Sequence, residues 1–85
     1  MSDLNERFEA AAEKVKGLAE RPSNEDLLSL YAFYKQGTEG DVKGKRPGFT
    51  DFKGRAKYDA WAERKGMDTE QAKEKYIALV EKLSS

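Results

Sequence analysis

Apolar residues recur at Leu4, Phe8, Ala11, Ala12, Val15 and Leu18, the spacing of one helical face. The pattern predicts a first helix over about Asp3 to Leu18, with Asp3 and Glu6 reading as a capping box at its start. Ala19-Glu20-Arg21-Pro22 breaks the pattern, because proline disfavours helix in the residue before it. Ser23 can cap a second helix whose first turn carries Glu25 and Asp26, where the macrodipole favours negative charge. Its face runs through Leu27, Leu28, Leu30, Tyr31 and Tyr34 to about Gln36, and Gly37 is the expected stop.

From Thr38 to Phe52 no helical period continues, and Gly40, Gly44, Pro47 and Gly48 punctuate the stretch. It reads as a long ordered loop, and loops of that length inside a compact domain are often functional. A third helix fits about Gly54 to Lys65, with Tyr58 and Trp61 three apart and Gly66 at its end. Asp68, with Gln71 three residues on, opens a fourth helix whose face is Ala72, Tyr76, Ile77, Val80 and Leu83. There is no strand-like alternation of useful length and no internal repeat. The first and fourth helices carry stripes of matched length and are expected to pack together. The centre of that contact is Phe8, Ala12, Val15, Leu18, Tyr76, Ile77, Val80 and Leu83. The fold expected from the pattern is all-α, four helices with one long ordered loop between helices two and three.

With 85 residues, the chain fills one core, a single domain over residues 1–85. The sequence has no cysteine and no histidine, so disulfides, the commonest general base and the usual soft-metal ligands are missing. No acid–base pair is recognisable among the remaining groups. Neither an enzyme nor a metal site is expected. The N-terminal Met1-Ser2-Asp3-Leu4 lacks a basic and an apolar segment, which reads as no signal peptide. No apolar run approaches the roughly 18 residues of a membrane span, so stable membrane insertion is not expected. These features fit the cytoplasm. The chain begins at Met1 and ends in Leu83-Ser84-Ser85 just past the last helix, which suggests a free-standing protein.

Sixteen basic residues balance sixteen acidic ones, which argues against general nucleic-acid binding. The balance is uneven along the chain. Between Lys43 and Lys57 six cations face one anion, Asp51, a net +5, and such a patch can draw in a compact polyanion.

Within the second helix, Tyr31 and Lys35 are four apart and share a face. A phenol and an ammonium side by side suit a phosphate and a purine, although the pattern alone favours Tyr31 and Tyr34 as core aromatics and Lys35 as a solvated lysine. Lys57 and Lys53, four apart at the start of the third helix, fit a phosphate at a helix N-terminus or a surface lysine run. Tyr76 shares the stripe of Val80 and reads as core, with a hydroxyl that wants a partner if buried. Trp61 reads as core, and nothing local singles out Lys16.

The run Leu30-Tyr31-Ala32-Phe33-Tyr34-Lys35-Gln36 is followed by Gly40-Asp41, Arg46-Pro47-Gly48, Asp51, Gly54, Ala56-Lys57 and Asp59-Ala60-Trp61. In order and spacing, this resembles the signature of the acyl-CoA-binding protein family. Lys65-Gly66 and Tyr76-Ile77 continue it, and the similarity runs from about Phe8 to Leu83 without a gap. The resemblance implies an up-down-down-up four-helix bundle that binds medium- and long-chain acyl-CoA without transforming it, a carrier and pool buffer acting as a monomer and needing no cofactor. It also implies that Tyr31, Lys35 and Lys57 grip the 3′-phosphate of the CoA ribose. Lys16, Ala32, Phe33, Tyr34, Lys53 and Tyr76 complete the implied ligand set. The departures are Tyr58 for a usual tryptophan, Gly37 for alanine, Glu39 for an apolar residue and Arg55 for lysine. A helical protein-docking module without ligand, or an accessory domain of an acyl-CoA enzyme, are the alternatives.

Overall fold

A computed structural model describes residues 3–84, which form four helices: α1 (Leu4–Lys16), α2 (Asn24–Glu39), α3 (Phe52–Ala62) and α4 (Thr69–Ser84). Met1, Ser2 and Ser85, on which the expectations about the chain's ends partly rest, lie outside the described residues. The predicted caps form at the first two helix starts. The Asp3 carboxylate accepts from the Glu6 amide at 2.8 Å and the Ser23 hydroxyl oxygen from the Asp26 amide at 3.1 Å. At the fourth start, Asp68 accepts from the Glu70 amide rather than reaching Gln71.

Several helix ends differ from the expectation. α2 does not stop at Gly37 but runs to Glu39, and Gly40, at φ 82°, takes the left-handed turn that ends it. Gly37 is buried inside the helix, where a Cβ would stand 3.0 Å from Lys73 Cγ and 3.6 Å from Phe8 Cζ. Its missing side chain allows α4 to approach; it does not break the helix. α3 starts at Phe52, two residues early, because Asp51 caps it by accepting from the Gly54 amide at 2.9 Å. The helix ends at Ala62, and i to i+3 turns carry the chain onward to Met67. The loop is therefore residues 40–51.

Contacts fix the directions of the helices. Asn5 meets Lys73 and Phe8 meets Tyr76, so α1 and α4 run parallel. Tyr34 meets Tyr76 and Gly37 meets Lys73, so α2 runs against α4. Tyr31 meets Lys57 and Lys35 meets Trp61, so α2 and α3 run parallel. The order is up-down-down-up. A parallel pair cannot be joined by a tight turn, which is why the connection is long.

The main core gathers Phe8 and Ala11 of α1, Leu30 of α2, and Tyr76, Ile77 and Val80 of α4. α2 is thus a full partner in a core that the sequence assigned to α1 and α4 alone. Ala12, Val15 and Leu83 pack against this cluster, but Leu18 does not. With α1 ended at the Gly17 cap, Leu18 no longer continues the face of Phe8 and Val15.

Four side chains pin the loop. Trp61 Nε1 donates to the Gly40 carbonyl at 2.8 Å, and the Tyr58 hydroxyl donates to that of Gly44 at 2.9 Å. Arg46 grips Asp59 with two hydrogen bonds of 2.9 and 2.7 Å. Fully buried Gln36 donates through Nε2 to Asp41 Oδ1 and to the Met67 carbonyl, and the Gly66 amide donates to the same Asp41 oxygen at 2.7 Å.

The Gly66 amide, and then Gln36, hold the Asp41 carboxyl below the ordinary aspartate value of 3.8. A carboxyl depressed in the folded state contributes stability above its unfolded value and loses it as pH falls through the folded one. Urea unfolding of the wild type is expected to weaken as pH drops below about 4, and Asp41→Asn to lower stability at neutral pH and flatten that dependence. An unchanged acid slope in the variant would remove Asp41 from the cause.

Candidate functional site

Helical spacing puts Tyr31 and Lys35 on one face of α2, and the parallel α3 brings Lys57 and Trp61 against them. The Lys57 ammonium lies 5.5 Å from the centre of the Tyr31 ring, and the Lys35 ammonium 5.1 Å from that of Trp61. Each cation faces a ring, so two lysines from two helices converge beside a phenol. Trp61 is buried and serves as the platform under Lys35.

The charges are not equally free. Lys35 pairs with Glu39 one turn further along α2, which became possible once the helix continued past Gln36. Their hydrogen bond raises the Lys35 ammonium above its ordinary value and lowers the Glu39 carboxyl below its own. Arg46 is held by Asp59. Lys57 and Lys53 have no anionic partner among the described residues, so they stand open to an incoming anion.

A groove of about 730 Å³ opens between α1 and the Tyr34–Tyr76 pair, a size suited to a small ligand. Ala12, Val15 and the two tyrosine rings supply its apolar surface, and Glu6, Glu9, Glu13 and Lys16 line it from α1. Phe8, Tyr34 and Tyr76 form an aromatic trio with centroids 5.0 to 5.8 Å apart. Burial, with Tyr34 close by, pushes the Tyr76 phenol above its ordinary value, so it remains a donor at neutral pH. Its hydroxyl has no hydrogen-bond partner among the described residues.

Of the expected site residues, Tyr31, Lys35 and Lys57 come together, and Lys53 lies one turn before Lys57 on α3. Lys16, Tyr34 and Tyr76 share the groove, with Lys16 3.4 Å from Glu13. Tyr34 is one turn from Tyr31, so α2 joins the cation cluster to the groove. Ala32 and Phe33 belong to neither: Ala32 is fully buried, and Phe33 packs on the core beneath the Arg64 guanidinium at 4.8 Å. The sequence reading missed the part of α1 in the groove, since Ala12 and Val15 had been read as core centre. Apolar periodicity marks the face of a helix but does not separate a closed core from an open groove. The one available signal was the acidic set Glu6, Glu9 and Glu13 flanking that face.

The family model described as "Acyl CoA binding protein" matches residues 5–80. An acyl-CoA-binding protein homolog of Drosophila melanogaster is 49% identical over 80 residues, 94% of this chain and 93% of that protein. An acyl-CoA-binding protein of Dictyostelium discoideum is 50% identical over 78 residues, 92% of this chain and 93% of its own length. Among solved structures, the crystal structure of Oryza sativa Acyl-CoA-Binding Protein 2 superposes with a TM-score of 0.91 at 47% identity. That match covers 95% of this chain and 90% of the other.

Proposed function

The chain belongs to the acyl-CoA-binding protein family, and from that membership we propose that it binds medium- and long-chain acyl-CoA thioesters without transforming them. As a single-domain, monomeric protein of the cytoplasm, it serves as a carrier and buffer of the acyl-CoA pool. The observation that carries this reading is the convergence of Tyr31, Lys35 and Lys57, one helical turn from an aromatic groove. A localised phosphate dianion suits two ammonium groups and a phenol, and an apolar tail suits Ala12, Val15 and the tyrosine rings.

Charge orients the ligand. Glu6, Glu9 and Glu13 would repel phosphate at the groove, so the head lies over α2 and α3 and the tail over α1 and α4. Tyr31, Lys35 and Lys57 take the 3′-phosphate, and Lys53 adds charge from the first turn of α3. Tyr34 and Tyr76 meet the ligand where head passes to tail, and Lys16 meets it at the α1 edge of the groove. Ala32 and Phe33 act through packing, holding α2 in place.

Titration calorimetry across an acyl-chain series tests the groove. Each added CH₂ is expected to strengthen binding by up to about 0.8 kcal/mol, roughly fourfold, until the groove is full. Equal affinity at every length would remove the groove from the account.

Glu39 competes with the phosphate for Lys35. Glu39→Gln is expected to tighten acyl-CoA binding about two- to threefold, the scale of a lost half-exposed helical ion pair. Weaker binding in the variant would mean that Glu39 instead aims Lys35 at the ligand.

A further inference from the structure

The charges of α1 are sorted by side. Glu6, Glu9, Glu13 and Lys16 follow one another at steps of three, four and three, which makes a single stripe of the helix. All four line the large groove, whereas Arg7 and Lys14 line a smaller one between α1 and α4. The large groove therefore receives three carboxylates and one ammonium, a net −2. Lys16 reaches only Glu13, at 3.4 Å, and Glu6 and Glu9 have no cation within ion-pair distance among the described residues. The glutamates are exposed and form a rim, with half-buried Ala12 and Val15 as the apolar floor beside them.

A tail lying on that floor ends in a field of one sign. Consecutive glutamates stand at most about 6 Å apart along the helix axis, less than the Debye length of about 8 Å at physiological ionic strength. No stretch of the groove between Glu6 and Glu13 escapes their charge. A methyl end is indifferent to it, and a hydroxyl end can donate to a glutamate carboxylate. A carboxylate end gives up water and meets like charge. Resting on the reading that the groove takes the acyl tail, we infer that Glu6, Glu9 and Glu13 select among acyl-CoA esters by charge at the far end of the chain. Neutral tails are accepted, and tails ending in a second carboxylate, the ω-carboxyacyl esters of dicarboxylic acids, are excluded.

Titration calorimetry with palmitoyl-CoA, ω-hydroxypalmitoyl-CoA and hexadecanedioyl-CoA, three esters of one chain length, tests it. The carboxylate-ended ester is expected to bind about tenfold or more weaker than the hydroxyl-ended one, and the gap to narrow with added salt. The hydroxyl ester controls for polarity at the chain end. In the triple variant Glu6→Gln, Glu9→Gln, Glu13→Gln the ratio of the two affinities is expected to shrink by about threefold or more, the part due to desolvation remaining. Reading a ratio cancels any general effect of the variant on binding. Equal affinity for the two esters in the wild type would overturn the inference, as would an unchanged ratio in the variant. Tighter binding of the carboxylate ester would also overturn it, showing that Lys16 captures the chain end. If palmitoyl-CoA gains nothing over a short-chain ester, the tail is not in the groove, and the underlying reading fails with the inference. A gain from chain length without discrimination by charge overturns the inference alone.

Discussion

Tyr76→Ala is expected to remove about 3–5 kcal/mol of stability, the usual cost of deleting a large aromatic from a core. Tyr76 is only 4% exposed and touches Phe8 and Tyr34 ring to ring while sharing the main core with Ile77 and Val80. For a domain of this size each kcal/mol shifts the melting temperature by roughly 4–8 °C. The alanine variant should therefore melt well over 10 °C below the parent. Tyr76→Phe removes only a hydroxyl that no described residue bonds, so it leaves no orphaned partner and should melt within a few degrees of wild type. Its effect should fall on acyl-CoA affinity, because the hydroxyl is proposed to meet the ligand. Thermal melts and titrations of both variants separate the two roles. An alanine variant as stable as the parent would contradict the packing described for α1, α2 and α4.

Lys57→Ala is expected to weaken acyl-CoA binding by about ten- to hundredfold, the loss of a charge-assisted hydrogen bond worth roughly 1.5–3 kcal/mol. Lys57 is exposed and has no anionic partner among the described residues, so the fold should be undisturbed. Lys35→Ala should lose less, because Lys35 must first leave Glu39 to reach a phosphate. Both losses should shrink for esters of dephospho-CoA, which lack the 3′-phosphate. Equal losses for both ligands would show that these lysines read another part of the molecule.

Much of this was legible in the sequence, for reasons that individual residues make plain. Helical period and capping residues located all four helices, since Phe8, Leu30, Ile77 and Val80 had to face a common core. Gly37 misled because glycine reads as a helix stop, whereas here it lies buried inside the helix against Lys73 and Phe8. That error hid a functional contact. With α2 ended at Gln36, Glu39 belonged to a loop; with α2 extended, it falls four residues from Lys35 and pairs with it. The relative directions of the helices lay in no single stripe. Periodicity states which face is apolar, and only pairings such as Tyr31 with Lys57 reveal that α2 and α3 run parallel. The cation cluster was legible because Tyr31 and Lys35 share a face by spacing alone. The family signature, rather than any local chemistry, brought Lys16 and Tyr76 into the expected set, and both line the groove. Tyr58 reads from the sequence as a departure from tryptophan on the third helix, but its hydroxyl ties down the Gly44 carbonyl, a use that depends on how the loop folds back.

The most direct test of the central claim is calorimetric titration of the chain with palmitoyl-CoA, CoA and palmitate under one set of conditions. The account requires head and tail to be bound together, over α2–α3 and in the α1 groove. It therefore expects tight one-to-one binding of the thioester, much weaker binding of CoA, and negligible binding of palmitate. Equal affinity for palmitate and its CoA ester would contradict it, because the cluster of Tyr31, Lys35 and Lys57 would then contribute nothing to recognition.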